Sequence, residues 1–503
     1  MSTPARHSAA AARRIVRRIV IEGTLVLQTP AHFGGGESDG TTVLLLEDTV
    51  TRRPLLPGAS LAGALRHYLL RREFGFRTAE PVDSLAVKLF GTAYDADRGH
   101  QSRISIDDAL VTQTGNLVDS RDGVKIDSSF RTADEGALYT FNVWAAGTRF
   151  PLRVELCLYG PDPEDRTSQG DSANELLSAL ATALHALGTG EIPLGARKHR
   201  GYGRASVNDW RIRDYRLDTV DGLIEWLKTR ADDSHSESHY SSSIFQVLNA
   251  TPLTKDARHY VRLEATFGLE DSLLIRAGSD VADMAHLMSK DEQGNPVPVL
   301  SGTSLAGALR ARALKIANTL NLRGAGELID DLFGQFGGED GDSSGQRTAS
   351  RMIVEEHAIR HASTQQVQNR VRIDRFTGGA FDTGLFGQQP VFATRATEVP
   401  VHVELHYPAS ATQGDQGRLD AQVGLLLLLL KDLWTGDLPL GGESSVGRGR
   451  LYGRNVKLIL KTPGHAKTIE FADSPRNLSA QDRAILENYT EALRQQPRKE
   501  KAQ

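Results

Sequence analysis

The segment LPGASLAGALR at Leu56–Arg66 recurs as LSGTSLAGALR at Leu300–Arg310, which puts Gly58 and Gly302 244 positions apart (302 − 58). Further landmarks return in the same order at nearly the same offset. LFG at Leu89–Gly91 returns at Leu332–Gly334, RISIDDAL from Arg103 resembles RMIVEEHAI from Arg351, and VKID at Val124–Asp127 resembles VRID at Val371–Asp374. Late in each half, PLGARKHRGYGRA from Pro193 matches PLGGESSVGRGRL from Pro439. Such collinear self-similarity means two homologous units, about 15–215 and 258–460, each needing its own core.

Within each unit the hydrophobic period changes along the chain. IVIEGTLVLQ from Ile19 and YVRLEATFGL from Tyr260 alternate as strands do, as do FPLRVELCL from Phe150 and VPVHVELHY from Val399. After the glycine-rich loops, Ser60 and Ser304 stand where a helix N-cap is expected, followed by Leu61, Leu65 and Leu69 or Leu305, Leu309 and Leu314 at helical spacing. Leucine-rich helices are expected at Leu176–Leu187 and Val423–Leu433. The order β-α-β, β-α-β in each half predicts an α+β class, with two tandem ferredoxin-like (RNA-recognition-motif-like) sheets and helices on one side.

The expected boundaries are a flexible N-terminus at 1–14, repeats at 15–220 and 258–462, a linker at 221–257, and a C-terminal extension at 463–503 with a frayed tail from Arg494. The serine-rich TRADDSHSESHYSSS at Thr229–Ser243 marks the linker. The leucine run ending at Leu430 is far shorter than the roughly 20 residues that span a bilayer, so a buried helix is expected. The N-terminus lacks an apolar secretory core; a mitochondrial-type presequence is a weak alternative. The lone Cys157 excludes an internal disulfide framework and fits a reducing cytoplasm. A net charge of −4 requires any polyanion contact to come from local clusters of cations.

Such clusters are present. A Gly-[AT]-Ser turn opening a helix offers free N–H groups and a positive dipole end to a phosphate, implicating Gly58, Ser60, Gly302 and Ser304, with Arg66 and Arg310 on the same helices. The loop Ala196–Arg204 gathers Arg197, Lys198, His199, Arg200 and Arg204 around glycines. Its second copy keeps Arg448 and Arg450 but places Glu443 beside them, which predicts a weaker field.

The opening strand, the HFGGG loop, the duplicated LPGASLAGALR-type segment and the late Gly/Arg loop together resemble the RAMP superfamily of CRISPR systems. The resemblance covers nearly the whole chain twice and is closest to backbone subunits of type III effector complexes, in the fused double-repeat, III-D-like form. It implies binding of CRISPR RNA and complementary target RNA, association with further backbone, large signalling and small subunits, and a cytoplasmic location. It assigns a base-intruding thumb hairpin to the segments Asp127–Tyr139 and Asp374–Leu385, with Arg131, Arg375 and Phe376 as stacking or phosphate contacts. His32 matches the family's loop histidine, whereas Leu274 or Arg276 stands near that place in the second half.

In related subunits a loop aspartate cuts target RNA with a divalent metal. Asp39 lies 18 positions before Pro57, and Asp283 lies 18 before Ser301. The resemblance therefore implies metal-dependent endoribonuclease activity with Mg²⁺ or Mn²⁺ at Asp39 and Asp283. Glu37 or Asp280 replaces them if the loops align differently, and each candidate precedes a second acid, Asp48 or Asp291. The alternative is a non-catalytic scaffold of the same complex. A metal-independent precursor-processing nuclease is a third class, poorly supported because His32 occurs in one half only.

Overall fold

The computed structural model describes residues 14–39, 42–76, 81, 84–92, 101–126, 133–160, 172–229, 239–278, 282–335, 348–408 and 413–499. Side chains of 35–43 and a few isolated positions lie outside that description, as do Arg131, Asp127, Asp280 and the segment 1–13.

Each repeat is built on an antiparallel sheet whose first strand lies centrally. In the first repeat, Ile15–Leu27 runs between Trp210–Arg216 and Arg149–Tyr159, and Ile104–Ile106 flanks the latter. In the second, Tyr260–Leu269 runs between Leu451–Thr462 and Val399–His406, with Met352–Val354 outside. The spatial order last, first, third, second is that of the ferredoxin-like fold predicted from the alternation of periods. One face of each strand is buried, as the strict alternation along Arg149–Tyr159 requires.

Helices Gly58–Phe74 and Ala173–Gly188 cover the first sheet, and Gly302–Thr319 and Gln413–Trp434 cover the second. The leucine run lies inside Gln413–Trp434, where Leu425, Leu426, Leu429 and Leu430 are buried. Helix Ala480–Arg494 covers its other side. Gly424 makes this approach possible, since an added Cβ there would come within 2.2 Å of the Tyr489 carbonyl.

Two boundaries differ from expectation. Residues 221–257 hold more than a connecting loop: strand His239–Ser241 pairs with Trp210–Arg216, and Ile244 and Leu248 enter the first core. In the extension, strand His465–Ala472 pairs with Leu451–Thr462, and the described tail residues 495–499 are tied down by Lys499 N–H donating to the Asn321 carbonyl. Apolar residues in both segments find surface left open by the repeats.

Candidate nucleic-acid interface

The repeated helix motif serves the fold first. The N-caps are Pro57 and Ser301, not Ser60 and Ser304; the two caps have nearly the same backbone, φ −65° with ψ 136° and 131°. Proline presets this φ, while Ser301 Oγ accepts from Ser304 N–H. At the helix N-terminus of the first repeat one N–H is also taken within the chain, since Gly58 N–H donates to Asp108 Oδ1 at 2.7 Å. Arg66 donates to the Gly91 carbonyl at 3.1 Å, and Arg310 to the Gly334 carbonyl at 2.8 Å and the Asp330 carboxylate. Gly91 and Gly334 end their helices at φ 81° and 82°, a conformation that favours glycine. The repeated arginine and the repeated LFG are thus one tertiary contact, formed twice.

The late loop of the first repeat is divided between exposed and structural positions. Arg197 is exposed, donates to Tyr139 Oη at 3.0 Å and stacks over Phe141 at 4.0 Å. Lys198 is exposed, and its ammonium is held below the usual lysine range by partial desolvation and by the Arg71 charge. His67, on the neighbouring helix, is pushed down to about 4 by desolvation and then by Arg71 and Lys198. These shifts mark an electropositive cluster of Arg71, Lys198 and the neutral His67. Arg71 and His67 escaped sequence analysis because they lie outside the recurring motifs.

Arg200 and Arg204 turn toward the second repeat instead. Arg200 donates to the Phe333 carbonyl at 3.1 Å, and Arg204 pairs with Glu355 at 2.5 Å. Arg121 reaches Glu356 at 3.3 Å in a fully enclosed pair, and Phe76 stacks on His406 with ring centroids 4.0 Å apart. The two repeats therefore form a firm joint.

In the second late loop Arg448 is not a surface cation. It is 2% exposed and donates to Glu443, Ser272 and Gln368. Glu443 also accepts from Gln388 and pairs with Arg370, and against desolvation these contacts hold its carboxyl below the usual range. The weaker field expected there has this cause. Arg450 remains exposed. His32 is buried, its Nδ1 bonded to the Asn142 carbonyl at 2.8 Å. Its carbonyl accepts from Ala196 N–H as that of Leu274 does from Gly442 N–H, which makes Leu274 its counterpart.

Two hairpins project from the repeats, Val118–Ile126 with Ala133–Trp144 and Gln368–Ile373 with Ala380–Gln389. Val124 faces Leu138 across the first, and Val371 faces Leu385 across the second. Leu138 and Leu385 are each 70% exposed. At the second tip, the Asp374 carboxylate caps the turn, leaving Arg375 exposed and Phe376 wholly so.

Asp283 is exposed at the base of the second hairpin, where its carboxylate accepts from Gly387 N–H at 2.6 Å. The backbone of Asp39 pairs with Thr42 at the end of a short hairpin, and its side chain lies outside the described set, as does that of Glu37. Asp48 and Asp291 each organise a turn, accepting from Thr51 and from Asn295 respectively. Asp283 thus offers one solvent-facing carboxylate, the kind of single protein ligand that a largely hydrated Mg²⁺ would accept. Among the described residues Glu355, His357 and His402 form another group with ligand spacing, and Arg204 already occupies that carboxylate.

No curated protein matches the sequence. The RAMP superfamily model, however, matches residues 24–206 and again 272–452, together well over half the chain and coincident with the two ferredoxin-like repeats. With the duplicated sheet, helix motif and Gly/Arg loop already in place, that double match settles the family: the chain belongs to the RAMP superfamily of CRISPR-associated RNA-binding proteins and carries its domain twice.

Proposed function

We propose that this chain is a CRISPR RNA-binding backbone subunit of a type III interference complex of the III-D-like kind, cleaving complementary target RNA in Mg²⁺ or Mn²⁺ with one loop aspartate per repeat. The observation carrying the RNA-binding role is the pair of hairpins with the same outward cross-strand pair, Val124–Leu138 and Val371–Leu385. Apolar side chains that the projecting part of a hairpin leaves exposed do not serve a core, and twice-repeated exposure matches surfaces that stack on or wedge between unpaired bases. Phe376 adds an aromatic face at one tip, and Lys198, Arg197, Arg375 and Arg450 supply exposed cations for the sugar–phosphate track. The chain contributes binding and positioning; the metal would supply charge neutralisation at the phosphate.

The test is a guide-RNA titration of the full chain by fluorescence anisotropy, with wild type beside Phe376→Ala and Leu138→Ser/Leu385→Ser. Loss of stacking predicts about tenfold weaker binding, from about 1–3 kcal/mol per stacked base. Unchanged affinity with intact folding rejects the hairpins as base contacts.

The scaffold reading has its own support. Asp283 is a lone carboxylate already bonded to Gly387 N–H, a geometry equally suited to bracing the hairpin. Cleavage assays on the reconstituted complex separate the two, with Asp39→Ala and Asp283→Ala each removing one product only if the residues are catalytic.

A further inference from the structure

The second sheet gathers two imidazoles and a carboxylate on the face turned away from its helices. Val354, Val401 and Val403 enter the helix-covered core, so strand alternation sends Glu355 and His402 to the opposite side. Glu355 N–H donates to the His402 carbonyl at 3.1 Å, which sets these two residues side by side on neighbouring strands. His357, two residues further on, reaches the same carboxylate.

All three side chains converge on one point. His357 Nε2 stands 3.1 Å and His402 Nδ1 3.4 Å from Glu355 Oε2, and the two rings meet edge to face with centroids 4.1 Å apart. The three ligand atoms lie within 4.8 Å of one another. In a tetrahedral zinc site with bonds of about 2.0–2.1 Å, neighbouring ligand atoms stand about 3.3–3.4 Å apart. Two edges of that figure are already built. All three side chains are half-buried, which leaves a path from solvent.

The donor set is also in the ionisation state that coordination requires. Desolvation holds His357 below the usual imidazole range, which keeps the ring neutral at pH 7. Against desolvation, the bonds with both imidazoles and the Arg204 charge keep the Glu355 carboxylate ionised. A neutral imidazole can carry its proton on the nitrogen away from Glu355 and offer the other as a lone pair. Arg204 reaches Oε2 at 2.5 Å, and the second oxygen of the carboxylate can take over that bond, since ligating carboxylates keep hydrogen-bond partners of their own.

The first repeat shows that the fold does not need this trio. Asp107 N–H donates to the Arg153 carbonyl at 3.1 Å as Glu355 N–H does to that of His402, and Ala109 pairs with Leu56 as His357 does with Leu300. The counterparts of Glu355, His357 and His402 are therefore Asp107, Ala109 and Arg153. There an ion pair of 3.0 Å between Asp107 and Arg153 completes the same place. In the second repeat both other members are histidine at once, an exchange that strand packing does not demand and metal coordination does.

We propose that Glu355, His357 and His402 bind one Zn²⁺, with water in the fourth position, and that the ion fastens the segment after Met352–Val354 to strand Val399–His406 beside the joint between the repeats. Imidazole donors favour Zn²⁺ over Mg²⁺ or Mn²⁺, so this site is chemically separate from a hydrated ion at Asp283. It depends on neither RNA binding nor cleavage.

The test uses the untagged full chain without RNA, stripped with EDTA and titrated with Co²⁺ and then Zn²⁺. Wild type is compared with His357→Ala/His402→Arg, which rewrites the site as the first repeat has it, and with His402→Gln, whose amide can still bond Glu355. The expected result is one Zn²⁺ per wild-type chain by elemental analysis after gel filtration, with the intense visible absorption of four-coordinate Co²⁺ bleached by Zn²⁺. Both variants should bind at least about 100-fold more weakly, since even an outer-shell partner is worth about 10–100-fold. A wild type that retains no Zn²⁺ overturns the proposal whatever the variants do. So does Zn²⁺ retention equal to that of the folded variants, or a Co²⁺ spectrum with only the weak bands of an octahedral ion, which would mean binding at scattered surface histidines.

Discussion

Arg121 of the first repeat and Glu356 of the second face each other at 3.3 Å with side chains 2% and 3% exposed. Burying both charges is costly, and the pair persists because each compensates the other; removing one alone strands a charge. Glu356→Ala is expected to destabilise the chain by about 3–5 kcal/mol, while Arg121→Met with Glu356→Leu costs far less. Urea unfolding followed by tryptophan fluorescence checks both, and equal losses in the single and double variants would remove the pair from the account of the joint.

Gly302 and Gly307 occupy one helix and make opposite predictions. A Cβ on Gly302 would come within 2.3 Å of the Arg200 carbonyl and 2.5 Å of the Val354 carbonyl, but on Gly307 it meets nothing within 4 Å. Gly302→Ala should therefore cost about 1–3 kcal/mol by forcing backbone apart at the joint. Gly307→Ala should stabilise by about 0.5–1 kcal/mol through the usual helix-interior preference. Thermal unfolding of the two variants side by side decides, and a stable Gly302→Ala would contradict the close approach.

Sequence reading recovered what depends on local pattern and on repetition. Alternation along Ile19 and Tyr260, with helical spacing after each motif, was sufficient for the ferredoxin-like order, because burying one face imposes that period. What a conserved-looking cation does was not legible. Arg66, Arg200 and Arg448 look alike in one dimension, yet one holds a helix end, one bridges repeats and one is buried against Glu443. Their partners lie 25, 133 and 5 residues away. The N-caps were misplaced onto Ser60 and Ser304 because one extended cap backbone is held in two different ways, by the fixed φ of Pro57 and by the Ser301 hydroxyl accepting from Ser304 N–H.

His286 makes stability depend on pH. It is 3% exposed, and its Nε2 donates to the Val299 carbonyl at 3.0 Å. Desolvation outweighs that bond and lowers its pKa to about 4. The unfolded chain then takes up a proton near the ordinary histidine value of about 6.5 that the folded chain refuses. The contribution is fully present above about 6.5 and is lost as pH falls toward about 4, amounting to about 3 kcal/mol. Urea midpoints from pH 7.5 to 4 should fall less steeply in His286→Asn than in wild type; parallel curves would place the acid sensitivity elsewhere.

Asp283 allows bracing and catalysis to be separated by chemistry rather than by position. Its carboxylate accepts from Gly387 N–H at the hairpin base, and an amide oxygen can accept the same bond without the charge. Asp283→Asn should therefore keep the hairpin anchored and RNA affinity near wild type, whereas Asp283→Ala loosens the base. If the carboxylate holds Mg²⁺, Asn removes the second repeat's cut as fully as Ala, because a neutral amide is a poor replacement for a carboxylate in a site with one protein ligand. If the residue only braces, Asn cuts like wild type and Ala weakens binding along with any cleavage. Product mapping on the reconstituted complex, with guide affinity measured on the same preparations, distinguishes these patterns in one experiment.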